Sequence, residues 1–105
     1  TCIANDYGYE EIFARQVEAL GERGDVIVGF TTSGNSPNVL AAFAQARDRG
    51  LVTILLSGKE GGSAKGTCDH EIIIPSPSTA RIQEMHTLVL HQWLELIDEE
   101  FAPKA

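Results

Sequence analysis

The sequence predicts an α/β fold in three layers: a parallel sheet with helices on both of its faces. Three observations point to it. Short apolar runs rich in β-branched residues, at 25–31, 51–56 and 71–75, alternate with longer stretches of helical periodicity. The first two runs are continuously apolar rather than alternating, as expected of strands covered on both faces. Glycines and prolines fall between the runs and the helical stretches, where helices stop and start. Alternation at this spacing implies βαβ units with right-handed crossovers.

The elements follow in order. Residues 9–20 place Tyr9, Ile12, Phe13, Val17 and Leu20 on one helical stripe, with Glu10 and Glu11 in the first turn, where the helix dipole favours them. Gly21 and Gly24 end this helix. Residues 25–31 form the first strand, which has the apolar character of a central one although only a helix precedes it. Ser36 and Pro37 open the next helix as N-cap and first helical residue. Its apolar side carries Val39, Leu40, Phe43, Ala44 and Ala46, and Gly50 stops it. Residues 51–56 form a second buried strand. Residues 57–69 are a Gly-rich loop with room for a short helical turn, and 71–75 form a third strand. Ser76-Pro77-Ser78-Thr79 leads into a long final helix over 79–100, lined by Ile82, Met85, Val89, Trp93 and Leu96.

A chain of 105 residues, 43% hydrophobic, holds one small domain with a packed core. Its net charge of −7 argues against a nucleic-acid partner, which calls for a basic face. No apolar run approaches a membrane span, and no signal peptide is visible. The chain starts at Thr1 rather than Met, so a preceding region is expected. Cys2 and Cys68 are too few for a disulfide framework and read as reduced thiols of a cytoplasmic protein.

The most informative motif is Thr31-Thr32-Ser33-Gly34-Asn35-Ser36-Pro37, between a buried strand and a helix N-terminus. Parallel sheets bind ligands at the carboxyl ends of their strands. A helix N-terminus presents unpaired amides and a positive dipole end, which hold anions. Four hydroxyls add donors. The loop suits a phosphate monoester, but hydroxyls before a helix also build ordinary capped turns, and the residues alone leave both open. A Walker A loop needs Gly-Lys-Ser/Thr, and this one has no Lys, which disfavours nucleotide hydrolysis.

On the last helix Gln83, Thr87 and His91 recur every four residues, a slowly drifting polar stripe beside the apolar one. His86 lies about 140° around the helix from His91, so the two are not expected to share a site. Cys68-Asp69-His70 lacks the spacing of a zinc site. The acidic end at Glu95, Asp98, Glu99 and Glu100 reads as a solvated face, and Arg15 and Arg81 as partners in surface ion pairs.

Thr32-Ser33-Gly34-Asn35-Ser36 resembles the phosphate loop of SIS (sugar isomerase) domains. With Asn5-Asp6-Tyr7-Gly8-Tyr9, Gly58-Lys59-Glu60-Gly61-Gly62 and Ala80-Arg81-Ile82-Gln83-Glu84-Met85-His86, it makes the whole chain similar to the C-terminal half of the phosphoheptose isomerases. The resemblance implies that residues 1–105 are the C-terminal part of a single SIS domain, of flavodoxin-like architecture. Absent from them are N-terminal helices, the first two of five strands and a Gly-Asn-Gly-Gly-Ser-Ala loop. It implies isomerisation of sedoheptulose 7-phosphate to D-glycero-D-manno-heptose 7-phosphate, for heptose and lipopolysaccharide precursors.

By the same resemblance Thr31, Thr32, Ser33 and Ser36 hold the substrate phosphate, and Asp6 binds sugar hydroxyls. Gln83 and His91 face the reacting carbons, with His91 transferring the proton, and both ligate zinc in some members. The family often has Asp where this chain has Ala80. Its remaining catalytic groups, a Glu acid/base and a His/Glu pair that helps hold metal, lie in the absent half, so residues 1–105 alone are expected to be inactive. A homotetramer with sites at subunit interfaces is implied. The alternatives are a non-catalytic SIS adaptor that binds the replication initiator, or a sugar-phosphate-sensing regulator. That adaptor tends to lack the His that this chain keeps at His91.

The chemistry agrees. Aldose–ketose isomerisation needs a base working near neutral pH, for which His is the natural residue. It also needs a metal or hydrogen-bond donors to stabilise the enediolate oxygens.

Overall fold

The computed structural model describes residues 1–103. Three strands, β1 (Val26–Thr31), β2 (Val52–Gly58) and β3 (His70–Ile74), form a parallel sheet in the order β1-β2-β3. Helix α3 (Pro37–Arg49) crosses from β1 to β2, and α4 (Thr79–Phe101) follows β3. Before β1 come α1 (Cys2–Tyr7), a 3-10 turn (Tyr9–Glu11) and α2 (Ile12–Leu20).

The two faces of the sheet are covered by different helices. Val39 and Phe43 of α3 pack with Leu55 and Ala64 into the core cluster, with Ile27 against it. A methyl built on Gly29 would overlap the Phe43 ring, so glycine lets the aromatic ring lie directly on the strand. On the opposite face Ile82 of α4 lies over Gly58, where a methyl would likewise overlap it. The three layers expected from sequence are therefore present.

Several boundaries moved for physical reasons. β2 runs two residues past 56, because Ser57 and Gly58 pair with Ile73 and Ile74 of β3 and the ladder overrides their turn preference. β3 begins at His70 and stops before Pro75, which has no N–H to continue pairing. Helix α3 starts at Pro37 and ends at Gly50, whose left-handed backbone (φ 79°) closes the cap. Helix α1 carried no apolar period and was not expected.

The expected apolar stripes are only partly buried. In α2 only Ala14 is buried, while Phe13 (42% exposed) and Leu20 (77%) face out. In α3 Ala42 is buried and Ala44 is exposed, the reverse of expectation. In α4 the buried residues are Ile82 and His86, whereas Met85 and Leu96 are exposed. The strand with central character, β1, lies at an edge of this sheet. The exposed faces of α2, α4 and β1 share a cause: they are apolar enough to be covered, but residues 1–103 contain nothing that covers them. An unpaired apolar strand edge is a site for adding a further strand.

Asp69 closes the entry to β3. Its carboxylate accepts hydrogen bonds from the Thr53 amide (2.9 Å) and the Thr53 hydroxyl (3.3 Å). The backbone hydrogen bond from Thr53 is the main cause holding Asp69 below the usual carboxylate range. A depressed pKa contributes stability above the ordinary Asp value of about 3.9, and loses it as pH falls through the folded-state value. Asp69→Ala is therefore expected to lower the melting temperature at neutral pH, and the gap to wild type should close on acidification below about pH 4. A gap independent of pH, in thermal melts of the full-length protein, would assign the effect to packing instead.

Candidate functional site

An open cleft of about 670 Å³ lies at the carboxyl end of β1, between the loop that follows it and the first turns of α4. One wall is Phe30, Thr31, Thr32 and Ser36; the other is Gln83, His86, Thr87 and Leu90. None of these residues is Lys or Arg, so an anion held here would rely on hydroxyls and on the amides at the start of α3.

Several of these groups already pair with one another, and the Val39 amide of the first turn donates to Asn38 Oδ1 (2.9 Å), so an anion would have to displace those bonds. Ser36 occupies the N-cap position of α3, yet its hydroxyl does not cap the helix. It exchanges a 2.8 Å hydrogen bond with the Thr31 hydroxyl, whose oxygen also accepts from the Gly34 amide at 3.2 Å. Pro37 at the first helical position has no amide to satisfy. The first turn of α3 thus keeps its positive end without an internal anion.

A second loop latches the first in place. Asn35 Oδ1 accepts from the Ser63 amide (2.8 Å), and the Ala64 amide donates to the Gly34 carbonyl (3.0 Å). Ala64 is fully buried in the core, which anchors the latch. Gly34 (φ 73°) and Gly61 (φ 91°) approach so closely that a methyl on Gly34 would overlap the Gly61 carbonyl. Ser33 lines a separate cleft on the far side of this loop, with Asn35, Lys59 and Ser76.

The residues singled out from sequence divide accordingly. Thr31, Thr32, Ser36 and Gln83 meet in one cleft. Asp6 lies exposed on α1, accepting from Cys2 Sγ (3.4 Å) and Asn5 Nδ2 (3.1 Å), outside the cleft lining. His91 is exposed one turn beyond Thr87 and does not line the cleft either. Arg81 pairs with Glu84 at the surface (2.6 Å), and Arg15 stacks over the Tyr7 ring, so neither reaches the loop.

One cleft residue was set aside in the sequence. His86 is buried, and its Nε2 lies 2.8 Å from the Ser57 carbonyl. A carbonyl only accepts, so Nε2 carries the proton. The separation of His86 from His91 around the helix holds, but the imidazole that enters this cleft is that of His86. Its position five residues before His91, in phase with buried Ile82, was the available signal.

Gln83 and His91 are both exposed, and they stand about 12 Å apart along α4. Among the described residues no group of three or more His, Cys, Asp or Glu could hold a metal. The pair therefore offers at most two of the four donors of a tetrahedral zinc, and the others would have to come from outside these residues.

The profile of the SIS domain family matches residues 1–58, more than half of the chain, and ends with β2. The chain belongs to the SIS domain family. The phosphoheptose isomerase of Helicobacter pylori strain P12 is 55% identical over 104 residues, covering 99% of this chain and 54% of that protein. The phosphoheptose isomerase of Fusobacterium nucleatum is 51% identical with the same coverage. Among solved structures, phosphoheptose isomerase GmhA from Neisseria gonorrhoeae superposes with a TM-score of 0.86 at 46% identity, over 92% of this chain and 55% of that one. A phosphoheptose isomerase from Francisella tularensis gives 0.89 at 40%, over 93% and 53%. This SIS chain spans about half the length of the relatives it matches.

Proposed function

We propose that the protein carrying this chain is a sugar-phosphate aldose–ketose isomerase that converts sedoheptulose 7-phosphate to D-glycero-D-manno-heptose 7-phosphate, with residues 1–105 as the C-terminal part of its single SIS domain. The observation that carries the proposal is the cleft in which the hydroxyls of Thr31, Thr32 and Ser36, at the start of α3, face Gln83 of α4. The names of its relatives support the substrate class.

The phosphate binds at the head of α3, on Thr31, Thr32 and Ser36, with the dipole supplying the positive field that Lys supplies elsewhere; Ser33, which lines the neighbouring cleft, joins them only by turning from the Asn35 amide. The sugar extends along α4, with Asp6 binding hydroxyls and Gln83 orienting the carbonyl end. His91 takes the proton from C1; the C1–H bonding pair becomes the C1–C2 double bond and the C2 carbonyl pair moves onto O2, giving the enediolate. His91 returns the proton to C2 while the O1 proton passes to O2, so that C1 becomes the aldehyde and C2 a secondary alcohol. Where zinc is bound, Gln83 and His91 would be two of its ligands and the metal would polarise the carbonyl and stabilise the enediolate oxygens; with its lone pair on the metal, His91 would then leave the proton transfer to a group outside these residues. The enzyme works in the cytoplasm as a homotetramer, in the supply of heptose for lipopolysaccharide.

The test is turnover of sedoheptulose 7-phosphate by the full-length protein, with and without added zinc. Appearance of the aldose is expected. A folded full-length protein that binds the sugar phosphate without converting it is instead a sensing regulator. One that neither binds nor converts it fits the adaptor reading. Among the described residues no helix is long and apolar enough to cross a membrane.

A further inference from the structure

The two walls of the cleft belong to different parts of the fold, and one hydrogen bond ties them together. The loop wall hangs from β1, whose last residue, Thr31, pairs in register with Ser57 of β2. The helix wall belongs to α4, of which only Ile82 and His86 are buried. Ile82 meets the sheet through close apolar contact at Gly58, which is not directional. His86 supplies the directional contact, an N–H donated to the Ser57 carbonyl at 2.8 Å. The anchor is thus the β2 residue paired with Thr31, where the phosphate loop begins. Phe30 holds the ring from the other side, with centroids 5.9 Å apart.

We propose that His86 is a positioning residue that fixes the height and rotation of α4 over the sheet, so that Gln83 faces the hydroxyls of Thr31, Thr32 and Ser36. It acts through Ser57 and α4 rather than on the reacting atoms. The proposal rests on the sugar-phosphate reading of the cleft. A ligand that spans both walls depends on His86, and a ligand held by the loop alone does not.

The experiment measures dissociation constants of sedoheptulose 7-phosphate and of inorganic phosphate, by calorimetry on the full-length protein. His86→Phe keeps a ring against Phe30 but removes the donor. It is expected to weaken sugar-phosphate binding about tenfold, the scale of one oriented hydrogen bond, and to leave inorganic phosphate within about twofold. His86→Gln, which restores an N–H donor, is expected to recover the sugar phosphate to within about threefold. A His86→Phe variant that weakens both ligands in parallel, or neither, overturns the positioning role. Should His86→Phe fail to fold, a folded His86→Gln variant with the tenfold loss overturns it as well, and one with near wild-type binding supports it. Wild-type protein that binds neither ligand sinks the sugar-phosphate reading itself, and the proposal with it.

Discussion

His91→Ala in the full-length protein is expected to lower kcat for sedoheptulose 7-phosphate by about 10²–10⁴, the usual contribution of a positioned acid–base group. KM should change much less, because the phosphate stays on the loop at the head of α3. The structure sharpens this expectation. His91 lies on the Gln83–Thr87 stripe one turn beyond Thr87, next to the cleft residue Leu90 but exposed and outside the cleft lining. Its access to the sugar therefore depends on a ligand long enough to run along α4, or on groups outside these residues that close over it. A seven-carbon sugar phosphate has that length, and inorganic phosphate does not. Steady-state kinetics of the variant and the wild type decide the matter. Retention of kcat within about threefold would remove His91 as the base and leave His86, the imidazole inside the cleft, as the group to examine.

The second large effect concerns backbone. Gly34→Ala is expected to cost about 2–4 kcal/mol and to abolish phosphate binding together with turnover. Two costs combine: the left-handed backbone (φ 73°), and a methyl driven into the Gly61 carbonyl of the latching loop. The loop cannot relieve the overlap by moving, because the Ala64 amide holds the Gly34 carbonyl and Ala64 is sealed in the core. Gly24 is the matching control. It has a comparable backbone (φ 88°) but open space around it, so Gly24→Ala should carry only the conformational cost of about 1–2 kcal/mol and leave binding intact. Denaturant melts and phosphate binding of the two variants make the comparison. Equal losses would show that the close approach of the two loops contributes nothing.

The amino-acid sequence by itself determined the alternation of strands and helices. It did so because glycines and Pro37 punctuate the chain, and because the apolar runs at 25–31 and 51–56 carry the composition of covered strands. It also placed the hydroxyl-rich loop between a buried strand and a helix start, while leaving open whether that loop is a phosphate site or an ordinary capped turn. Thr31, Thr32, Ser33 and Ser36 were named together, and Gln83 with His91, through the family resemblance; that Gln83 faces Thr31, Thr32 and Ser36 came from the structure. Gln83 was also legible through a four-residue repeat that depends only on helix geometry.

Only the tertiary structure decided what lies against what. The Ser36 hydroxyl turns from its own helix to Thr31, a choice between two acceptable partners that only the fold of the loop makes. Asn35 spends its side chain on Ser63, 28 residues away, which no local pattern encodes. Sequence sets His86 only about 140° around the helix from His91; it is α4 laid across the end of β2 that gives it the Ser57 carbonyl as a partner and removes it from water. The exposed stripes of α2 and α4 show the same limit from the other side. Periodicity states that a face is apolar, but whether that face is covered depends on which other elements are present to pack on it.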